Sequence, residues 1–239
     1  MIPLIHDFTG RTVLVFGGGT VGARKAKRFA REAHVVVVSP TFVDELGTTE
    51  RQETDHESWQ PTGEGPGIEL VRDAPDPDDV AGWIDRVEPA LVVAATDSEA
   101  VNEAAAAAAR ARNVLVNRTD RAGGRDVGSV VVPATVDDGS VSVAITTGGA
   151  SPALSKYLRE RVEEDIEGAG TMAELTSDIR TELKRRELPP AERRDAVRRV
   201  VRSPRVWTAL RTGTTNARRV AEDVIRTDTT TPDREGSDP

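Results

Sequence analysis

Thr12-Val13-Leu14-Val15-Phe16 is a continuous apolar run ending at glycines, the pattern of a strand buried on both faces of a parallel sheet. Apolar or small residues at Ala26, Phe29, Ala30 and Ala33 then recur at helical spacing, and Val35 to Val38 reads as a second buried strand. The three together predict a βαβ unit. From Gly47 to Gly67 the chain is polar, rich in Thr, Glu and Gly and without period, which predicts an exposed loop. Strand character returns at Ile68 to Val71. A helix is expected over Asp76 to Val87, with Asp76 as its cap and Pro77 in its first turn. Ala90 to Ala95 reads as a strand, alanine-rich Ser98 to Arg112 as a helix, and Val114 to Val116 as a last strand. Alternation of this kind implies a doubly wound parallel sheet ending near Asn117.

Beyond that point the pattern changes. Gly128 to Pro133 and Ser140 to Thr146 read as β, with a hairpin signal at Asp137-Asp138-Gly139. Leu154, Leu158, Val162 and Ile166 form an apolar stripe on a charged helix. Thr171 to Arg226 is interrupted by Pro189-Pro190, Pro204 and Gly213, which predicts three or four short helices. The Thr, Asp and Pro content after Arg226 predicts a disordered tail. The fold class expected is α/β: a Rossmann-type parallel-sheet domain (residues 1–117), a β-rich dimerisation and substrate segment (118–168), a helical domain (169–226) and the tail (227–239).

Composition narrows the chemistry. Without cysteine, disulfides, thiolate metal sites and cysteine nucleophiles are excluded. The net charge of −8, with lysine confined to positions 25, 27, 156 and 184, fits either adaptation to high salt or a GC-rich genome, and bears on solubility more than on fold. Apolar runs such as Ala104 to Ala109 fall well short of the ~20 residues that span a bilayer. Met1-Ile2-Pro3-Leu4-Ile5 is too brief for a signal-peptide core, so no membrane association and a cytoplasmic location are expected. The Arg-rich stretch from Arg193 to Arg211 does not read as a nucleic-acid surface, because acidic residues are interspersed and aromatics nearly absent. His6, His34 and His56 lack paired spacing, so no protein metal site is expected.

Gly17, Gly19 and Gly22 satisfy G-x-G-x-x-G directly after the first strand and at the start of a helix. In that context the first glycine permits the turn, the second lets the backbone approach a pyrophosphate and the third allows close helix-to-strand contact, while helix amides receive the phosphates. The tip of the second strand reads Ser39-Pro40-Thr41. It has neither the acidic residue that commonly binds the ribose of NAD nor an arginine for the 2′-phosphate of NADP, so cofactor choice stays open at this point.

Met1-Ile2-Pro3-Leu4, Gly17 to Ala26, Ala94-Ala95-Thr96-Asp97, Val101-Asn102 and Thr147 to Leu154 together resemble, in order and spacing, the precorrin-2 dehydrogenase module of siroheme synthases over roughly residues 1 to 165. The resemblance implies NAD as cofactor, contacted by Gly17, Gly19, Thr20, Val21, Gly22, Ser39, Pro40, Thr41, Thr96 and Asp97. It implies oxidation of the tetrapyrrole precorrin-2 to sirohydrochlorin, with insertion of Fe²⁺ as a further activity, in a homodimer built on segment 118 to 150 and the following helix. The family's Asn-x-x-Asp pattern falls on Asn117-Arg118-Thr119-Asp120, which makes Asp120 the expected catalytic carboxylate, a general base for the proton lost on dehydrogenation. The longer, glycine-rich segment that follows leaves Asp126 as a competitor. A substrate with many carboxylates calls for basic and amide-bearing groups: Arg118, Arg121, Lys156, Thr147, Gly148 and Ser151 are the candidates, with Arg125 and Arg159 further basic residues nearby. Two alternatives remain, a nucleotide-sensing regulatory module without catalysis and a chelatase that has lost oxidation.

Overall fold

The structure is a computed structural model that describes residues 3–47, 51–52, 59, 65–120, 129–211 and 216–227. It divides into two compact units, Met1–Val132 and Pro133–Pro239.

The first unit is built on a six-stranded, all-parallel sheet in the order β3-β4-β2-β1-β5-β6. The strands are β1 (Thr12–Phe16), β2 (His34–Ser39), β3 (Arg51–Gln52), β4 (Gly67–Arg72), β5 (Leu91–Ala94) and β6 (Leu115–Arg118); the helices are α1 (Thr20–Phe29), α2 (Val80–Val87) and α3 (Glu99–Ala111). Strand residues alternate between two buried faces, as a parallel sheet covered on both sides requires. Val13, Val15, Val35 and Val37 pack with Ala23 and Ala26 of α1. Leu14, Phe16, Val36 and Val38 pack with Trp83 and Ile84 of α2 and Ala105 and Ala109 of α3. The chain runs outward from β1 to β2 and β4, then crosses to β5 on the other side of β1. The carboxyl ends of β1 and β5 therefore flank a topological switch point, where such sheets bind ligands.

Three local expectations change. The stretch from Gly47 to Gly67 contributes β3 and Trp59, whose ring is 1% exposed and lies 5.3 Å from Trp83; its Nε1 donates to Glu69 Oε1 at 3.0 Å. Lack of period in that stretch concealed an aromatic residue that covers the sheet. Helix α2 begins at Val80 and not at Asp76, because Asp79 Oδ2 accepts the Asp76 amide (3.1 Å) in a turn ahead of it. The strand expected over Gly128 to Pro133 contains, among its described residues, one bridge, Ser129 to Val116; the hairpin follows Pro133.

In the second unit β7 (Ala134–Asp138) and β8 (Val141–Ile145) pair antiparallel around Gly139-Ser140, with Gly139 at φ +56°. Positive φ at the first turn position suits glycine. Helices α4 (Pro152–Asp165), α5 (Ala169–Arg185), α6 (Pro190–Arg202), α7 (Pro204–Arg211) and α8 (Ala217–Thr227) follow, interrupted where the prolines fall. Met172, Ile179, Leu183, Ala196, Val200, Val206 and Ala221 form the core of the last four. At the hairpin, a Cβ on Gly170 would lie 2.4 Å from the Asp138 carbonyl oxygen, so the start of α5 seats directly on the turn. Helix α4 has no buried residue, and Leu154, Tyr157 and Leu158 are exposed. The tail expected to be disordered lies, beyond Thr227, outside the described residues.

Candidate dinucleotide site and adjoining carboxylate

Gly17 leaves β1 at φ +111°, and a Cβ there would stand 2.3 Å from the Ala95 carbonyl oxygen at the end of β5. A Cβ on Gly22 would stand 1.9 Å from the Gly17 carbonyl oxygen. These two glycines are needed for backbone to meet backbone. Gly19 differs: a Cβ there would meet nothing within 4 Å. Gly19 is the N-cap of α1, and among the described residues no side chain caps it or places an acid in the first turn. Open space above amides without a side-chain cap is what a pyrophosphate would fill. The residues present therefore fit a dinucleotide. Thr20 and Val21 are exposed at the same edge.

Gly18, the middle glycine to which the sequence reading gave no role, is equally constrained: a Cβ would lie 2.3 Å from the Thr41 carbonyl oxygen and 2.7 Å from the Phe42 ring. The Val43 amide donates to the Gly18 carbonyl at 3.0 Å. The tip of β2 thus folds over the glycine turn. Ser39 is 5% exposed there, while Pro40 and Thr41 face solvent. An arginine does stand at this tip, contrary to the reading of the local sequence. Arg72, level with Ser39 in the neighbouring β4, donates to the Pro40 carbonyl at 2.8 Å and lies over the Phe42 ring at 5.7 Å.

At the end of β5, Thr96 is held by Asn102 of α3, which is 1% exposed. Asn102 Oδ1 accepts from the Thr96 amide (3.1 Å) and hydroxyl (2.8 Å), and its Nδ2 donates to the Thr96 carbonyl (2.9 Å). Ser98 caps α3 by accepting the Val101 amide at 3.3 Å, and Asp97, between Thr96 and Ser98, is exposed. Asn102 belongs to the Val101-Asn102 motif of the sequence, but its role depends on the burial of its polar group, a signal that a sequence does not display.

Beyond β6, the Thr119 amide and hydroxyl both donate to the Ala94 carbonyl, at 3.0 and 3.2 Å, which draws the next residue, Asp120, to the β5 side. Asp120 is gripped by Arg118 through Nε to Oδ1 (3.0 Å) and Nη2 to Oδ2 (2.5 Å). Arg118 Nη1 donates to Glu103. The Arg118 side chain is 7% exposed, so this expected receiver of substrate carboxylates is turned onto two protein carboxylates. Its guanidinium holds the Asp120 carboxyl below the usual range, with a smaller contribution from Asn102, and those carboxylates raise Arg118 further. Asn117 Nδ2 donates to the Val130 carbonyl at 2.7 Å; its Oδ1 is buried without a partner among the described residues. Arg121, Arg125 and Asp126 lie outside the described residues.

In the second unit, Ser151 caps α4 by accepting the Leu154 amide (3.2 Å), and Thr147 Oγ1 bonds Ser155 Oγ (3.0 Å) and accepts the Ser151 amide (3.2 Å). Gly148, at φ +69°, completes this tight turn. Lys156 is exposed and 3.9 Å from Glu160. The expected site residues thus form two groups: the glycine turn, the tips of β2 and β5 and Asp120 along one edge of the sheet, and the Thr147 to Ser151 turn on the second unit.

Residues 4–134 match an NAD(P)-binding family model, and residues 138–164 match the model of the central region of the sirohaem biosynthesis protein. The chain is 32% identical over 213 residues to the precorrin-2 dehydrogenase of Methanosarcina barkeri, covering 87% of this chain and 86% of that protein. It is 34% identical over 205 residues to the siroheme synthase of Nitrosospira multiformis, covering 85% of this chain but 40% of that longer protein. The solved structure of SirC, precorrin-2 dehydrogenase, superposes with a TM-score of 0.64 at 24% identity, covering 95% of this chain and all of that one, which shows the same fold.

Proposed function

Because the chain belongs to the precorrin-2 dehydrogenase family, we propose that it oxidises precorrin-2 to sirohydrochlorin in siroheme biosynthesis, with NAD⁺ as hydride acceptor. The observation that carries this reading is the alignment of three features along the carboxyl edge of one sheet: the open amides at Gly19, the β5 tip fixed by Asn102, and the ionised Asp120. A bound NAD⁺ supplies the acceptor for the hydride. This chain's residues supply the rest. Gly17, Gly19 and Gly22, with Thr20 and Val21, hold the pyrophosphate. Pro40, Thr41, Thr96 and Asp97 border the remainder of the dinucleotide, with Ser39 buried behind them. Asp120 takes the proton that leaves with the hydride.

Arg118 acts as the residue that positions and charges Asp120. Arg121, Lys156, Thr147, Gly148 and Ser151 meet the substrate carboxylates with charge and amides. The same Asp120 accepts pyrrole protons when Fe²⁺, as a substrate, enters sirohydrochlorin. That second activity rests on the siroheme synthases, of which this chain spans about two-fifths, 40% in the Nitrosospira protein. A cytoplasmic homodimer completes the reading. The exposed Leu154 and Leu158 on α4 support the dimer, and among the described residues no helix is long and apolar enough to cross a membrane. The nucleotide-sensing alternative is not favoured, since the relative that matches over most of its length is a dehydrogenase.

The test is anaerobic turnover. Precorrin-2 and NAD⁺ are mixed with the protein and NADH is followed by its near-ultraviolet absorbance, with about one equivalent expected per precorrin-2 consumed; Fe²⁺ is then added and siroheme sought in the visible spectrum. Absence of NADH formation with folded protein overturns the oxidation, and absence of siroheme removes iron insertion alone.

A further inference from the structure

We infer that Glu103 of α3 is a positioning residue for the proposed oxidation: it fixes the Arg118 guanidinium, and Arg118 in turn presents Asp120 in one orientation. The inference rests on the reading of Asp120 as the base and adds to it a residue from a different element. Arg118 and Asp120 are near neighbours in the chain, and a local pair of that kind leaves the long arginine stem with rotamers to choose from. Glu103 takes that choice away. A guanidinium is planar and holds its N–H donors in a fixed fork. With Nη1 bonded to Glu103 Oε2, the edge formed by Nε and Nη2 is left for Asp120, and it meets Oδ1 at 3.0 Å and Oδ2 at 2.5 Å. Each guanidinium nitrogen is thereby engaged, and the arginine side chain is buried.

Glu103 is itself directed from its own helix, where Oε1 accepts Arg110 Nη2 at 3.4 Å. Basic and acidic groups therefore alternate from α3 to the site: Arg110, Glu103, Arg118, Asp120. Helix α3 reaches the end of β6 because alanine puts little bulk between helix and sheet; Ala105, Ala106 and Ala109 are fully buried there. The residue before Glu103 is Asn102, which holds Thr96 at the β5 tip. Consecutive residues of one helix thus serve the two sides of the proposed site, Asn102 the border of the dinucleotide and Glu103 the base. That adjacency also separates two roles for Glu103. A residue that only seated α3 would disturb Thr96 and the dinucleotide, whereas one that acts through Arg118 disturbs Asp120 alone.

Turnover, binding and NMR of the full chain test this. Glu103→Ala should lower kcat for NADH formation by about tenfold or more, as expected when a catalytic group is slightly misplaced. KM for precorrin-2 and the calorimetric Kd for NAD⁺ should stay within about twofold. Glu103→Gln, whose amide oxygen still accepts from Nη1, should recover part of the loss. In an Arg118→Ala background, Glu103→Ala should change kcat by less than about twofold, because Glu103 acts through Arg118. In heteronuclear NMR spectra the Arg118 Nε–H signal, identified by its absence from Arg118→Lys, should shift or broaden in Glu103→Ala. Wild-type kcat in Glu103→Ala overturns the inference and leaves the dehydrogenase reading intact. So does an equal loss with and without Arg118, an Arg118 signal that does not move, or NAD⁺ binding weakened in step with kcat, since Glu103 would then act by seating α3. Folded wild type that forms no NADH overturns both readings together.

Discussion

Arg118 holds both carboxylate oxygens of Asp120, Oδ1 at 3.0 Å and Oδ2 at 2.5 Å, while its third nitrogen bonds Glu103 on α3. One cation therefore serves two carboxylates, and Asp120 is kept ionised at the cost of some basicity. Its direction and its charge are both set by a residue two positions earlier in the chain.

That grip has a pH signature. A carboxyl whose folded pKa lies below its unfolded value stabilises the fold fully above the unfolded value, about 3.9, and the contribution disappears as pH falls through the lower folded value. Activity that depends on ionised Asp120 should keep its acid limb below the ordinary carboxylate range. In Arg118→Ala that limb should move up toward the ordinary value, measured as the pH profile of kcat/KM for NADH formation. An unmoved limb would separate Asp120 from the pH-dependent step.

Asp120→Asn should keep the bond geometry, lose the base and lower the rate of NADH formation by about 10² to 10⁴. Asp126→Ala should leave that rate near wild type. The reverse result would transfer the role of base to Asp126.

The glycines should separate fold from binding. Gly19→Ala meets open space, so its melting temperature should remain near that of wild type while calorimetry shows NAD⁺ binding weakened by about tenfold or more, the result of a methyl group at the pyrophosphate. Gly22→Ala drives a Cβ to 1.9 Å from the Gly17 carbonyl oxygen and should cost about 1–3 kcal/mol in urea unfolding.

Asn102→Ala removes three bonds to Thr96 and the contact with Asp120 in a site 1% exposed. A loss of about 1–3 kcal/mol is expected from denaturant unfolding, since the Thr96 amide and carbonyl lose their bonds to Asn102 while the hydroxyl keeps only Ser98. NAD⁺ binding should weaken as well, because the β5 tip loses its anchor.

The apolar side of α4 gives a test of assembly. Leu154→Glu with Leu158→Glu should convert a dimer to a monomer in sedimentation equilibrium, as charges at the centre of an apolar contact are strongly disfavoured. Wild-type protein that sediments as a monomer would refute the homodimer directly.

The sequence by itself determined the elements and much of the dinucleotide edge. Buried parallel strands appear as unbroken apolar runs at Thr12 to Phe16 and Val35 to Val38, Ser98 and Ser151 announce helix starts, and prolines interrupt the last helices. Gly17, Gly19 and Gly22 were legible because their spacing is local and tied to one turn. The tertiary structure alone decided what met across distance: Gly18 against Thr41, Arg72 at the β2 tip, Trp59 on Glu69, and Arg118 turned onto Glu103 and Asp120 instead of outward. Periodicity records which face of an element is apolar, but an arginine or an asparagine has the same local signature whether it faces solvent or a buried carboxylate. Its partner is chosen by strand order and helix docking, which bring together residues tens of positions apart.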